Sequence, residues 1–272
     1  MKTSMWSVGR LGRSSGYTIV EVMMFLVVTS ALLVSGLAIF RGQQGRTQFT
    51  QSVRETEQQL RNILNEASVG RFPESVSGFT CSASGGSVAF NTSTSREQGA
   101  NAGCIYLGKV LEFQEPDDSS YSSYTIAGRR LDGDKPVESL ASAGPKIAPT
   151  LTQEYVVHPT IRATKVVKNE SSEVAGFGFI SKLNNYSNSD LSGSSQLVSL
   201  LAFGTGKAAS RPAFSNLVAG ITDSDRDIDS ITICLEDKGS GGRKAAIVVG
   251  SNSGRELSIE TFLDINNGEK GC

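Results

Sequence analysis

Few residues in this chain could do chemistry, and they fall into four sets. The first is Glu21, the only charged residue between Ile19 and Phe40 in an otherwise apolar run. A carboxylate in a membrane span costs up to about 2.5–3.5 kcal/mol, less near the interface, so such a residue calls for a cationic partner. The second set is Cys81, Cys104, Cys234 and Cys272, with no CxxC spacing and no histidine nearby, which gives zinc little support. Two disulfides are expected, and of the three connectivities Cys81–Cys104 and Cys234–Cys272 close loops of moderate length, each stabilising by roughly 3–4 kcal/mol. The third is the alternation Asp223, Asp225, Asp227 and Asp229. In an extended chain these carboxylates share one side and repel unless a cation sits among them. A calcium site and an acidic turn relieved by Arg226 are the two readings, and the helix–loop–helix calcium pattern is not met. The fourth is His158, the only histidine, which precedes Pro159 in an apolar run and reads as structural or solvated. The chain has no nucleophile elbow, zinc-protease motif, phosphate-binding glycine loop or dinucleotide fingerprint, so no enzyme activity is expected.

These residues must be held by two kinds of element. The run from Ile19 is long enough to cross roughly 30 Å of hydrocarbon as a helix. Beyond it Phe49, Val53, Leu60, Ile63, Leu64 and Ala67 form one stripe of an amphipathic helix, with Arg54, Glu57, Arg61 and Glu66 largely off the stripe. Glu57 and Arg61 make a favourable i,i+4 pair. Gly70 and Pro73 supply the stop, so the spacing predicts one helix from Tyr17 to about Val69. Afterwards period-2 and β-branched runs predict strands over Ser87–Phe90, Cys104–Phe113, Tyr121–Ala127, Glu154–Val167, Val174–Leu183, Gln196–Phe203, Asp229–Leu235, Lys244–Val249 and Glu256–Phe262. The last three read as an antiparallel meander. Ser82–Gly103, Gln114–Ser123 and Gly128–Thr152 read as surface loops, and Gly176-Phe177-Gly178-Phe179 as a strand whose glycines permit close packing. A long helix followed by an antiparallel sheet that buries its stripe is an α+β fold.

Gly16-Tyr17-Thr18-Ile19-Val20-Glu21-Val22, with the apolar run behind it, resembles the prepilin signature of type IV pilins and type II secretion pseudopilins. The signature covers only about 50 residues, but glycine, aromatic, fixed-spacing glutamate and apolar span rarely coincide. The resemblance implies that a membrane peptidase cuts between Gly16 and Tyr17, that Tyr17 becomes the N-methylated terminus, and that Glu21 of one subunit neutralises the Tyr17 ammonium of a neighbour. Paired in low dielectric, the two charges are far less costly than either alone. The chain departs from the family where many members have a proline, at Ala38, leaving Gly36 and Gly42 as the flexible positions.

The division that follows is a leader over 1–16, a transmembrane and polymerisation helix over 17–40, an amphipathic half over 41–70 and a β-rich, pilin-like domain over 71–272. Lys2, Arg10 and Arg13 make the leader basic, which favours a cytoplasmic N-terminus and places the domain outside the cytoplasmic membrane. With those three of the 26 basic residues set aside, 23 stand against 27 acidic ones, a net of −4 without global attraction for nucleic acid. Some minor pilins bind DNA near their C-terminus, and Arg243, Lys244 and Arg255 are the basic residues available for it here. The expected role is a structural subunit, a minor pilin or pseudopilin of a pilus or secretion system. Its expected partners are other pilin subunits, a prepilin peptidase, the assembly platform and membrane lipid before assembly. A filament-associated adhesin or DNA-uptake receptor is the alternative, and a membrane-anchored surface enzyme a weaker one. No cofactor is expected beyond the calcium reading.

Overall fold

A computed structural model describes residues 16–70, 79–84, 87–92, 103–113, 120–157, 159–181, 183, 198–206, 210–226, 228–239, 242–252 and 256–272. The chain divides into two compact units, Met1–Arg46 and Thr47–Cys272, each described here by itself. The first helix, α1 (Ile19–Val69), runs through the boundary between them. Its start is set by Thr18, whose Oγ1 accepts the Glu21 amide at 3.3 Å while its carbonyl accepts the amide of Val22. Thr18 thus acts as the N-cap, its hydroxyl accepting the amide three residues on. Within the apolar part, Thr29 donates to the carbonyls of Phe25 and Leu26, and Ser35 to that of Ala31. These hydroxyls are satisfied by their own helix, as a polar group in lipid must be. The end comes at Gly70, which takes φ 66° and donates to the Ala67 carbonyl.

In the second unit the stripe of α1 becomes core. Phe49, Val53, Leu60, Ile63 and Ala67 are buried and Leu64 is partly so. They meet the inner faces of two five-stranded antiparallel sheets. One has the order β11-β10-β3-β4-β7, formed by β3 (Cys104–Phe113), β4 (Ser120–Arg129), β7 (Lys146–Val156), β10 (Gly176–Ser181) and β11 (Val198–Phe203). The other has the order β14-β13-β12-β8-β9, formed by β8 (Ile161–Lys168), β9 (Ser172–Glu173), β12 (Ser230–Asp237), β13 (Lys244–Asn252) and β14 (Glu256–Leu263). The meander β12-β13-β14 is antiparallel throughout. The Glu57–Arg61 pair closes at 2.7 Å and also serves edge strand β14, since Arg61 donates to the Ile259 carbonyl and Thr261 to the Glu57 carboxylate. Helix side chains thereby occupy groups that an open sheet edge would leave unpaired.

The central strands of the first sheet, β3, β4 and β10, are buried on both faces. Towards α1, Phe113, Tyr121 and Tyr155 stack across β3, β4 and β7 at centroid separations of 4.9 and 5.1 Å. The opposite face, with Leu107, Val110, Tyr124, Ile126 and Leu201, lies under two short helices, α2 (Leu140–Ala143) and α3 (Arg211–Ala219), which contribute Leu140, Phe214 and Val218. Close packing of β3 on β10 requires glycine. A Cβ at Gly108, where φ is 149°, would lie 2.0 Å from the Phe179 carbonyl oxygen, and one at Gly178 would lie 2.5 Å from that of Lys109. Disulfides join Cys81 to Cys104 and Cys234 to Cys272, the pairing that loop length favours.

Several sequence expectations are corrected. The run Glu154–Val167 is two strands in different sheets, because the turn around Pro159 ends β7 and redirects the chain into β8. Gly128–Thr152 is not one surface loop. It holds a small hairpin of β5 (Leu131–Asp132) and β6 (Lys135–Pro136), the helix α2 with a Ser139 capping box, and most of β7. Part of Ser82–Gly103 belongs to a two-stranded ribbon, β1 (Phe79–Ser84) with β2 (Ser87–Thr92), and residues 120–123 belong to β4. The helix α3 carried no strong stripe, and its signal was the Ser210 cap before Pro212.

Candidate membrane and assembly segment

Residues Ile19–Leu37 form one helix long and apolar enough to cross a membrane, with a mean hydropathy of 2.2 and none of it buried within the protein. Its large side chains, among them Met24, Phe25, Leu26, Val27, Leu32 and Leu33, are exposed all round. A helix apolar on every side belongs in lipid or among other apolar helices. Glu21 sits in its first turn, where the partial positive charge of the helix N-terminus favours a carboxylate. Gly16 and Tyr17 precede the helix, and both are exposed. A Cβ built on Gly16 meets nothing within 4 Å. Gly16 and Tyr17 therefore stand exposed ahead of the helix. The bond between Thr18 and Glu21 is from the Glu21 backbone amide to the Thr18 hydroxyl.

The aspartate segment is not extended. Asp223–Arg226 is a 3-10 turn whose carboxylates diverge. Asp223 accepts the Leu140 amide at the start of α2 and pairs with Arg226 at 3.4 Å, whereas Asp225 accepts both the amide and the hydroxyl of Thr222. Burial lowers the pKa of Arg226, opposed by the charge of Asp223, and its Nη2 donates to the Ser181 carbonyl. Asp229 is exposed and Asp227 lies outside the described residues. Among the described residues no three histidine, cysteine or acidic side chains converge on a metal position. The turn uses its carboxylates for capping and pairing, which corrects the geometry behind the calcium reading.

Of the basic residues considered for DNA, Lys244 donates to Asn267 at 2.6 Å, Arg243 is half-buried at the head of β13, and Arg255 lies outside the described residues, as does His158. A cluster that sequence reasoning missed lies where α1 crosses the first sheet. Lys109, buried within β3, donates to the Glu66 carboxylate and to Gln153 Oε1 at 3.0 Å, and Tyr155 donates to the same oxygen at 3.0 Å. Its signal was a lysine inside the apolar run Cys104–Phe113. No family model matches the chain, and neither a curated protein nor a solved structure matches it.

Proposed function

We propose that this protein is a structural subunit of a type IV pilus-like filament, cleaved after Gly16 and assembled through the N-terminal part of α1. One observation carries the reading: a helix with no buried residue over Ile19–Leu37 bears a single carboxylate in its first turn, directly after an exposed Gly-aromatic peptide. Cleavage at that peptide creates an ammonium at Tyr17, four residues before Glu21. A chain still carrying its leader has no such charge there. Inside a bundle of apolar helices the two ions lower each other's desolvation cost, and the pair sets the register between neighbours. Apolar side chains give little net drive, since lipid is as apolar as the bundle, so shape and this pair must supply specificity. Two disulfides suit a domain folded in an oxidising compartment.

The test removes the carboxylate's charge and keeps the shape and the helix start. The Thr18 hydroxyl accepts the Glu21 backbone amide, which Glu21→Gln leaves in place. The expected outcome in the native host is correct cleavage, shown by mass spectrometry beginning at Tyr17, with little or no variant subunit in sheared filaments. Wild-type incorporation of Glu21→Gln, or mature wild-type protein that retains Met1–Gly16, would overturn the proposal.

A further inference from the structure

Lys109 is a primary amine held against a primary amide, and the surroundings favour reaction between them. Its side chain is 2% exposed, and Nζ lies 3.0 Å from Gln153 Oε1, next to the amide carbon it would attack. The two residues sit on β3 and β7, and β4 separates these strands. On the β4 stretch between them, Ser123 stands opposite Gln153 and Thr125 opposite Lys109. The Glu66 carboxylate accepts from Lys109 Nζ, while the Tyr155 hydroxyl donates to Gln153 Oε1. Ser123 Oγ and Thr125 Oγ1 are buried with no hydrogen-bond partner among the described residues. An ion pair with a hydrogen-bonded glutamine is the alternative reading of these contacts, and it leaves the buried hydroxyls of Ser123 and Thr125 without a role.

We propose that Lys109 and Gln153 become joined by an amide bond that the folded protein forms on itself. Glu66 takes a proton from the Lys109 ammonium, and the free amine adds to Cδ of Gln153. Charge builds on Oε1, where Tyr155 already donates. The tetrahedral centre then collapses with loss of the amide nitrogen. That nitrogen takes up the proton held by Glu66 and the one the attacking nitrogen then releases, so lysine ammonium and primary amide become one secondary amide and one ammonium ion. No oxidant, cofactor or second protein enters. Once Nζ shifts from Oε1 onto the face of Cδ, fixed placement supplies an effective concentration of up to about 10⁵–10⁸ M, and general-base help adds about 10²–10⁴. A single turnover per molecule suffices, so a slow reaction is adequate. Glu66 is 45% exposed and Gln153 is exposed, so the ammonium ion has a way out, while Lys109 itself is buried. The bond spans 44 positions of sequence and bridges β3 to β7 independently of the redox state of the disulfides. This inference stands apart from the filament reading.

The full chain, purified in mild detergent and incubated for days, is weighed intact under denaturing conditions and then mapped by tandem mass spectrometry. The expected mass lies about 17 Da, one ammonia, below that of the disulfide-bonded chain, with Lys109 and Gln153 in one branched peptide that reduction does not separate. Glu66→Gln and Lys109→Arg are expected to restore the full mass, and Tyr155→Phe to slow the loss at least tenfold, each variant checked for folding by intact Cys81–Cys104 and Cys234–Cys272 bonds. Wild-type protein that has both disulfides and still shows the full mass, with Lys109 and Gln153 in separate peptides, overturns the proposal. So does an undiminished deficit in folded Lys109→Arg.

Discussion

Leu60→Ala and Leu26→Ala make the same chemical change on the same helix, and the structure assigns them opposite consequences. Leu60 is 0% exposed, packed in the core between α1 and both sheets, whereas Leu26 is 58% exposed in the apolar segment. Truncating a fully buried leucine costs the transfer term plus a cavity, about 3 kcal/mol within a range of 2–5. For a domain of this size each kcal/mol lowers the melting temperature by roughly 2–4 °C, so Leu60→Ala should lower it by about 6–12 °C. Leu26→Ala removes no packing inside the protein and should move it by less than about 2 °C. The assay is thermal unfolding of the full chain in mild detergent, followed by near-ultraviolet circular dichroism of the domain's aromatic residues. In filament preparations the ranking should reverse in character, with Leu26→Ala subunits folded but under-represented. Equal melting shifts for the two variants would refute the claim that α1 changes environment along its length.

Three further outcomes follow from local geometry. Reducing the disulfides, or replacing Cys234 and Cys272 with serine, should destabilise the domain by roughly 3–4 kcal/mol per bond, read as the difference between oxidised and reduced melting curves. Gly108→Ala places a methyl 2.0 Å from the Phe179 carbonyl and should cost about 3 kcal/mol or more, seen as loss of folded, soluble domain, while Gly133→Ala, in open space at φ 64°, should cost only about 1 kcal/mol. Burial alone would raise the pKa of Glu57, but hydrogen bonds from Thr261 and Arg61 and the charges of Arg61 and Arg54 outweigh it and hold the carboxyl below its ordinary value. A lowered folded-state pKa gives stability that is present above the unfolded value of about 4.3 and is lost as pH falls through the folded one. Glu57→Gln should therefore flatten the fall in melting temperature between about pH 5 and 3, and an unchanged acid limb would refute that role.

Elements whose environment is set by neighbours in sequence were legible before the structure was known. The helical stripe from Phe49 to Ala67 is a period of 3.6 with one buried side, and the meander β12-β13-β14 joins strands through glycine-rich turns. The Gly16-Tyr17 and Glu21 pattern is equally local, since a charge inside an apolar run is visible from composition alone. Four strands of the first sheet, β3, β4, β10 and β11, were likewise legible as β-branched and apolar runs. The strand half lost among the loops was β7, an edge strand buried only at Ala148 and Leu151, whose exposed residues around Pro149 gave no regular alternation. The short helices α2 and α3, which cover the outer face of that sheet, are too brief to show a period.

Sequence alone determined the apolar α1 segment with its single acid, the amphipathic continuation, the α+β class and the choice of loops for the cysteines to close, because each depends on residues close along the chain. Tertiary structure alone decided that there are two five-stranded sheets, that Asp223 and Asp225 cap and pair within a turn, and that Lys109 of β3 and Gln153 of β7 meet beside Glu66 of α1. Those facts depend on strand order and on which face each side chain takes. Such placements are set by packing among elements tens of residues apart, and no short-range pattern encodes them.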